Sequence, residues 1–232
     1  MTPLDDLFST DESRAESQLE KVMTLNPAEI SDFPNHPFKV KQDEAMTEMV
    51  DSVKQYGVLV PALVRPKADG GYEMVAGHRR KFAATLAELP EIPCIVRDLT
   101  DDKATIIMVD SNLQRETILP SEKAFAYKMK LEAIKKQGAR SDLTSPQLAA
   151  KLRTDDRVAA DAGVSGDTVR RFIRLNNLVP DLQKKVDDGS LKFNPAVELS
   201  YLSPTEQNDF LDYIESQSCS PSLSQAQKLK AA

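Results

Sequence analysis

The sequence predicts an α+β chain in two parts, a mixed α/β half over about residues 36–118 and an all-helical half over about 119–232. Three observations carry that division. Short apolar runs bounded by turn residues, the mark of strands, occur before Pro120, and no convincing strand follows it. Helical spacing and cap residues dominate after it. Acidic charge is concentrated in residues 1–35, which hold eight acids and two bases without a clear period. That stretch reads as a mobile arm.

The elements follow in order. Glu44 to Tyr56 places Met46, Met49, Val50 and Val53 at helical spacing, with Gly57 as the stop. Ala62 to Arg65 and Tyr72 to Val75 read as strands around the turn Ala68-Asp69-Gly70-Gly71. A helix from about Arg79 to Leu89 ends before Pro90, and Pro93 to Arg97 returns as a strand. Thr100 can cap a helix through Arg115, with Asp101 and Asp102 in its first turn, where the helix dipole favours acids. Ser121 to Gln137 forms a long helix stopped by Gly138, and Gly138 to Thr144 is the expected hinge. Ser145-Pro146, Asn194-Pro195 and Ser203-Pro204 each set a cap residue before proline, and Ser203 with Glu206 makes a capping box. Ser222 to Lys230 begins another helix.

At 232 residues, 41% hydrophobic and 28% charged, the chain has ordinary globular composition. No run approaches the roughly 18 apolar residues of a membrane span, and Met1 to Asp6 lacks the opening of a secretory signal. Cys94 and Cys219 lie far apart, and His36 and His78 complete no zinc spacing, so a reducing cytoplasm is expected. The net charge of −6 belongs to the arm, because residues 36–232 carry equal numbers of acids and bases. A neutral body with basic patches can bind DNA, with weaker long-range steering than a basic protein has.

Gly77-His78-Arg79-Arg80 stands where a strand gives way to a helix, and helix-opening N–H groups with guanidinium forks suit an anion. Surface ion pairs are the alternative role for the two arginines. No Walker loop occurs. Ser111-Asn112-Leu113-Gln114-Arg115 puts a carboxamide and an arginine on one helical face; the first can ligate magnesium and the second can neutralise phosphate. Closing a helix with polar residues is the competing role. Residues 157–175 read as a helix-turn-helix, with small Ala159, Gly163 at the turn and Ser165 capping the second helix. Its outward face presents Thr168, Arg170, Arg171 and Arg174 to bases and phosphates, with Val169, Phe172 and Ile173 inward. Lys128, Lys130, Lys135, Lys136 and Arg140 form a basic stripe able to meet backbone phosphates or to remain a solvated face.

His36-Pro37-Phe38, Gly57-Val58-Leu59-Val60-Pro61, Gly77 to Arg80 and Ser111 to Arg115, followed by the helix-turn-helix, resemble in order the ParB-type partition proteins over about residues 30–215. The resemblance implies a mixed α/β, ParB/sulfiredoxin-like N-terminal domain followed by an all-α DNA-binding domain. It implies a nucleotide site for CTP with Mg2+ at Gly77, His78, Arg79, Arg80, Ser111, Asn112 and Arg115, with Asn112 at the metal and Pro37 to Val40 near the base. It also implies a homodimer that closes as a clamp on a palindromic double-stranded DNA site, a ParA-type ATPase partner, and a location in the cytoplasm on nucleoid or plasmid. Slow CTP hydrolysis as a switch is the most enzymatic activity it implies. His78 and Ser111 stand where the family usually has glutamates, which removes the expected acidic magnesium ligand. The family's C-terminal dimerisation domain has no obvious counterpart before Ala232. Two other classes remain open: a ParB-fold nuclease or phosphotransfer enzyme with a DNA-targeting module, and a plain helix-turn-helix regulator.

Overall fold

The structure, a computed structural model, describes residues 22–115, 117–141, 154–217 and 221–231. The Ser145-Pro146 cap and the end of the expected hinge lie outside the described residues, as does Cys219. The chain divides into two compact units after Thr100.

The first unit is built on a five-stranded sheet with the order β1-β5-β3-β4-β2. Its strands are β1 (Val22–Leu25), β2 (Ile30–Ser31), β3 (Ala62–Pro66), β4 (Tyr72–Ala76) and β5 (Ile92–Val96). β3 and β4 form the expected hairpin, antiparallel with Arg65 opposite Glu73, and β3 runs parallel to β5. Helices α1 (Glu44–Tyr56) and α2 (His78–Leu86) cover the sheet. Met46, Val53, Val64, Met74, Ala83 and Ile92 are buried together between these layers. Asp43 caps α1 by accepting from the Met46 N–H at 2.9 Å, and Gly57 at φ 71° ends it.

β1 and β2 correct the expected arm at 1–35, for residues 22–25 and 30–31 are sheet. β1 pairs antiparallel with β5, and β2 pairs parallel with β4. β1 gave no signal because only its Leu25 is buried, so no alternation marks the strand, and β2 is two residues long with Ile30 alone in the core.

The second unit is helical throughout the described residues. It comprises α3 (Asp101–Leu113), α4 (Pro120–Ser141), α5 (Thr154–Ala162), α6 (Gly166–Arg174), α7 (Pro180–Asp187), α8 (Phe193–Leu199), α9 (Pro204–Gln217) and α10 (Leu223–Ala231). The division therefore precedes the boundary expected near 118, because α3 packs on α4. Helix α4 also runs past Gly138, where a stop was expected. A glycine costs a helix interior only about 1 kcal/mol, which packing overrides. One core joins α3 to α6 through Ile106, Leu113, Tyr127, Leu131, Val158 and Val169. A second gathers α7 to α10 around Leu175, Leu182, Leu191 and Leu199. The Ser203 capping box is present: Glu206 accepts from the Ser203 N–H and Oγ–H, both at 2.7 Å.

Candidate nucleotide and DNA interfaces

Gly77 follows β4 and opens α2 at φ 110°, a left-handed conformation that glycine tolerates best. A Cβ there would stand 3.0 Å from the Ala62 Cβ and 3.3 Å from Arg80 Nη2, so the position also needs glycine's lack of bulk. No side chain caps the helix. Its first N–H groups and the positive end of its dipole thus lack a capping side chain and an acid in the first turn.

The two arginines beside this opening are held differently. Arg80 Nη1 donates to the carbonyls of Val60 and Pro61, each at 2.6 Å, which locks the guanidinium against the Gly57 to Pro61 loop. Burial pulls the Arg80 pKa below its ordinary value. Arg79 Nη2 reaches Asp43 only at 4.0 Å, and its Nε is buried without a hydrogen-bond acceptor. A buried donor left unsatisfied costs about 1–3 kcal/mol, so this site favours an added acceptor.

His78 turns the other way, buried at 6% exposure and stacked on His36 with ring centroids 3.8 Å apart. His36, Phe38, Val40, His78, Phe82, Asp32 and Lys81 help line a cavity of about 450 Å³. Lys81 Nζ donates to Asp32 Oδ1 at 2.7 Å on its wall. Burial raises the Asp32 pKa, but the Lys81 hydrogen bond and charge, with His78 and His36, outweigh it and hold the carboxyl below its ordinary value. Cys94 is buried in β5, its thiol pushed up to about 11 by burial. The size and aromatic lining suit a flat heterocycle.

Ser111, Asn112 and Arg115 belong to the second unit. Asn112 is buried at 3% exposure and donates from Nδ2 to the Met108 carbonyl at 2.8 Å. Its Oδ1 is buried with no partner, an oriented acceptor that fits a cation or a bound donor. Ser111 is exposed and donates to the same carbonyl at 2.9 Å. Among the described residues no three histidine, cysteine, aspartate or glutamate side chains gather as a metal site.

The helix-turn-helix is α5 and α6. Gly163 takes φ 65° at the turn, and Ser165 Oγ accepts from the Thr168 N–H at 3.1 Å. Val158, Ala159 and Val169 form the buried side. Arg170 pairs with Asp155 across the motif and with Asp167 at 3.6 Å, which raises its pKa through the Asp155 hydrogen bond and leaves the side chain exposed. Arg171 Nη2 donates to Asn194 Oδ1 at 2.6 Å, and its guanidinium lies 5.3 Å over the Phe193 ring. Arg174 Nη2 donates to the Ser200 carbonyl at 3.1 Å and packs 3.8 Å over Tyr201. Helix α8 and the two residues after it thus brace Arg171 and Arg174, a support with no short-range signal in the sequence.

The basic stripe of α4 needs one correction. Lys128, Lys135 and Lys136 are exposed, but Lys130 is wholly buried and donates to Asp110 at 2.6 Å and Asp161 at 2.7 Å. It is not a phosphate contact. The described side chains of α4 stop short of Arg140.

Residues 11–113 match the family model for the ParB N-terminal domain. The chain is 36% identical over 186 residues to the chromosome-partitioning protein Spo0J of Thermus thermophilus, covering 80% of this chain and 62% of that protein. It is 37% identical over 172 residues to stage 0 sporulation protein J of Bacillus subtilis, covering 74% of this chain and 55% of that one. The chain therefore spans somewhat over half the length of these relatives. Among solved structures it resembles the C-terminally truncated chromosome-partitioning protein ParB of Caulobacter crescentus, complexed to the centromeric parS site. That match has a TM-score of 0.55 and 25% identity, covering 90% of this chain and 98% of the other. With the α/β sheet, the uncapped Gly77 helix and the helix-turn-helix in that order along one chain, residues 11–113 match the ParB N-terminal domain and the longer chain is similar to ParB-type partition proteins.

Proposed function

We propose that this protein is a sequence-specific DNA-binding protein of chromosome or plasmid partition whose hold on DNA is governed by CTP. The observation that carries the nucleotide part is the opening of α2: an uncapped helix end, a cradle too close for a Cβ, and a buried Arg79 Nε lacking an acceptor. Gly77, Arg79 and Arg80 hold the triphosphate through backbone N–H groups and guanidinium forks. The cavity beside His36 and Phe38 takes the base, with His78 in its wall rather than on phosphate. Asn112 supplies its carboxamide oxygen to magnesium, Arg115 supplies positive charge, and Ser111 stands in the family's acidic position without metal-binding charge. Bound magnesium would neutralise phosphate charge.

DNA reading falls to α6, where Thr168, Arg171 and Arg174 approach a palindromic duplex and Ser165 orders the helix start. Arg170, tied to Asp155, serves the backbone. The palindrome calls for a homodimer, and a ParA-type ATPase partner follows from the family. Location on the nucleoid or a plasmid follows from DNA binding; among the described residues no helix is long and apolar enough to cross a membrane.

The test is calorimetric titration of CTP, GTP and ATP with Mg2+, with and without a parS duplex. CTP should bind preferentially, and Asn112→Ala should abolish most of the magnesium dependence. Absence of nucleotide binding in the parent, with DNA binding retained, would favour a plain transcription regulator. Rapid nucleotide or DNA turnover would favour the enzyme reading.

A further inference from the structure

Lys130 is a lysine at 0% exposure, a placement that proteins almost never leave unpaired. Its Nζ lies in the middle of α4 and donates to two carboxylates from two other helices. Asp110 belongs to α3, two residues before Asn112 and five before Arg115. Asp161 belongs to α5, the first helix of the helix-turn-helix. Beneath the ammonium the same three helices and α6 share one apolar core, in which Ile106 and Leu113 of α3 pack with Val158 and Val169. A movement of α3 that carries Asn112 toward a ligand must also carry Asp110, and the Lys130 bridge passes that displacement to α5.

We propose that Lys130 is a positioning residue that links the Ser111-Asn112-Arg115 motif to the DNA-reading module, so that nucleotide and DNA affinities depend on one another through the Asp110–Lys130–Asp161 bridge. The inference rests on the nucleotide and DNA roles proposed above. A bridge that served folding alone would look different. Asp110 and Asp161 retain 42% and 57% side-chain exposure, so removing the ammonium leaves carboxylates that water can solvate. Replacing a buried ion pair with an apolar group of similar volume is often neutral for stability. Lys130→Met is therefore expected to fold, and its effect should fall on linkage.

The experiment measures the CTP dissociation constant of the whole chain with Mg2+, with and without a saturating parS duplex, for the parent, Lys130→Met, Asp110→Ala and Asp161→Ala. Thermodynamic linkage between two sites commonly amounts to about 5–150-fold and must be reciprocal, so the DNA dissociation constant is measured with and without CTP as well. In the parent both ratios should agree at about fivefold or more. In Lys130→Met they should fall within about twofold of unity, while each ligand alone binds within about threefold of the parent. A Lys130→Met protein that melts cooperatively and keeps the parent ratio overturns the proposal. Should that variant not fold, Asp110→Ala decides: it removes the acceptor that ties α3 to the lysine, and an unchanged ratio overturns the proposal equally. A parent that binds neither CTP nor the duplex instead refutes the proposed function, and the linkage falls with it.

Discussion

Arg80→Ala tests the nucleotide site most directly. Arg80 Nη1 is committed to the Val60 and Pro61 carbonyls at 2.6 Å. Nη2 lies 3.3 Å from the point where a Cβ would stand at Gly77, beside the helix opening. A phosphate at that opening would meet the guanidinium while the carbonyl bonds hold the fork in place. Removing the guanidinium deletes a charge-assisted interaction of about 1.5–3 kcal/mol, which weakens CTP by about tenfold to about 150-fold. The stability loss should be smaller, near 1 kcal/mol, because Val60 is 63% exposed and water can replace the donor at its carbonyl. Isothermal titration with Mg2+ measures the first quantity, and urea unfolding followed by circular dichroism measures the second. Arg80→Lys should fall between the two proteins, since an ammonium cannot serve the carbonyls and present a planar fork together. Equal CTP affinity in Arg80→Ala and the parent, with the fold intact, would refute the phosphate role and leave Arg80 as a brace for the 57–61 loop.

Arg171→Ala should cost about 1–3 kcal/mol on a parS duplex and less on random DNA, read by paired titrations at two salt concentrations; an unchanged specific-to-random ratio would make Arg171 a phosphate contact or a bystander. Lys135→Ala should weaken both duplexes alike and flatten the salt dependence, in contrast to buried Lys130, and a loss confined to parS would count against that assignment. Gly77→Ala places a side chain at φ 110° and 3.0 Å from the Ala62 Cβ, so it should destabilise the first unit by about 1–3 kcal/mol in urea unfolding; a neutral result would mean that the loop relaxes freely. In a Cys219→Ser background the Cys94 thiol, buried and raised to about 11, should resist iodoacetamide at pH 8 and react once urea unfolds the chain; rapid native alkylation would contradict its burial.

What the sequence determined by itself is local. The strands around Asp69-Gly70-Gly71, the glycine turn at Gly163, the Ser165 cap and the Ser203–Glu206 box each depend on residues a few positions apart, and each was legible from spacing and residue type. The candidate phosphate and DNA residues rest on the same kind of local pattern, a glycine, a cap and an arginine near one helix start, and their roles remain the proposal made above. Tertiary structure decided which partner each group meets. Periodicity marks a buried face without naming what covers it, so the packing of α3 with α4, rather than a break near 118, had no local sign. β1 offers one buried side chain in four, and only its backbone ladder to β5 removes it from the arm. Arg80 finds its carbonyls 19 and 20 residues away, and Arg171 finds Asn194 at 23. Lys130 reads like Lys128 and Lys135 in the sequence, and it becomes a buried bridge because folding brings Asp110 and Asp161 to its ammonium from two other helices.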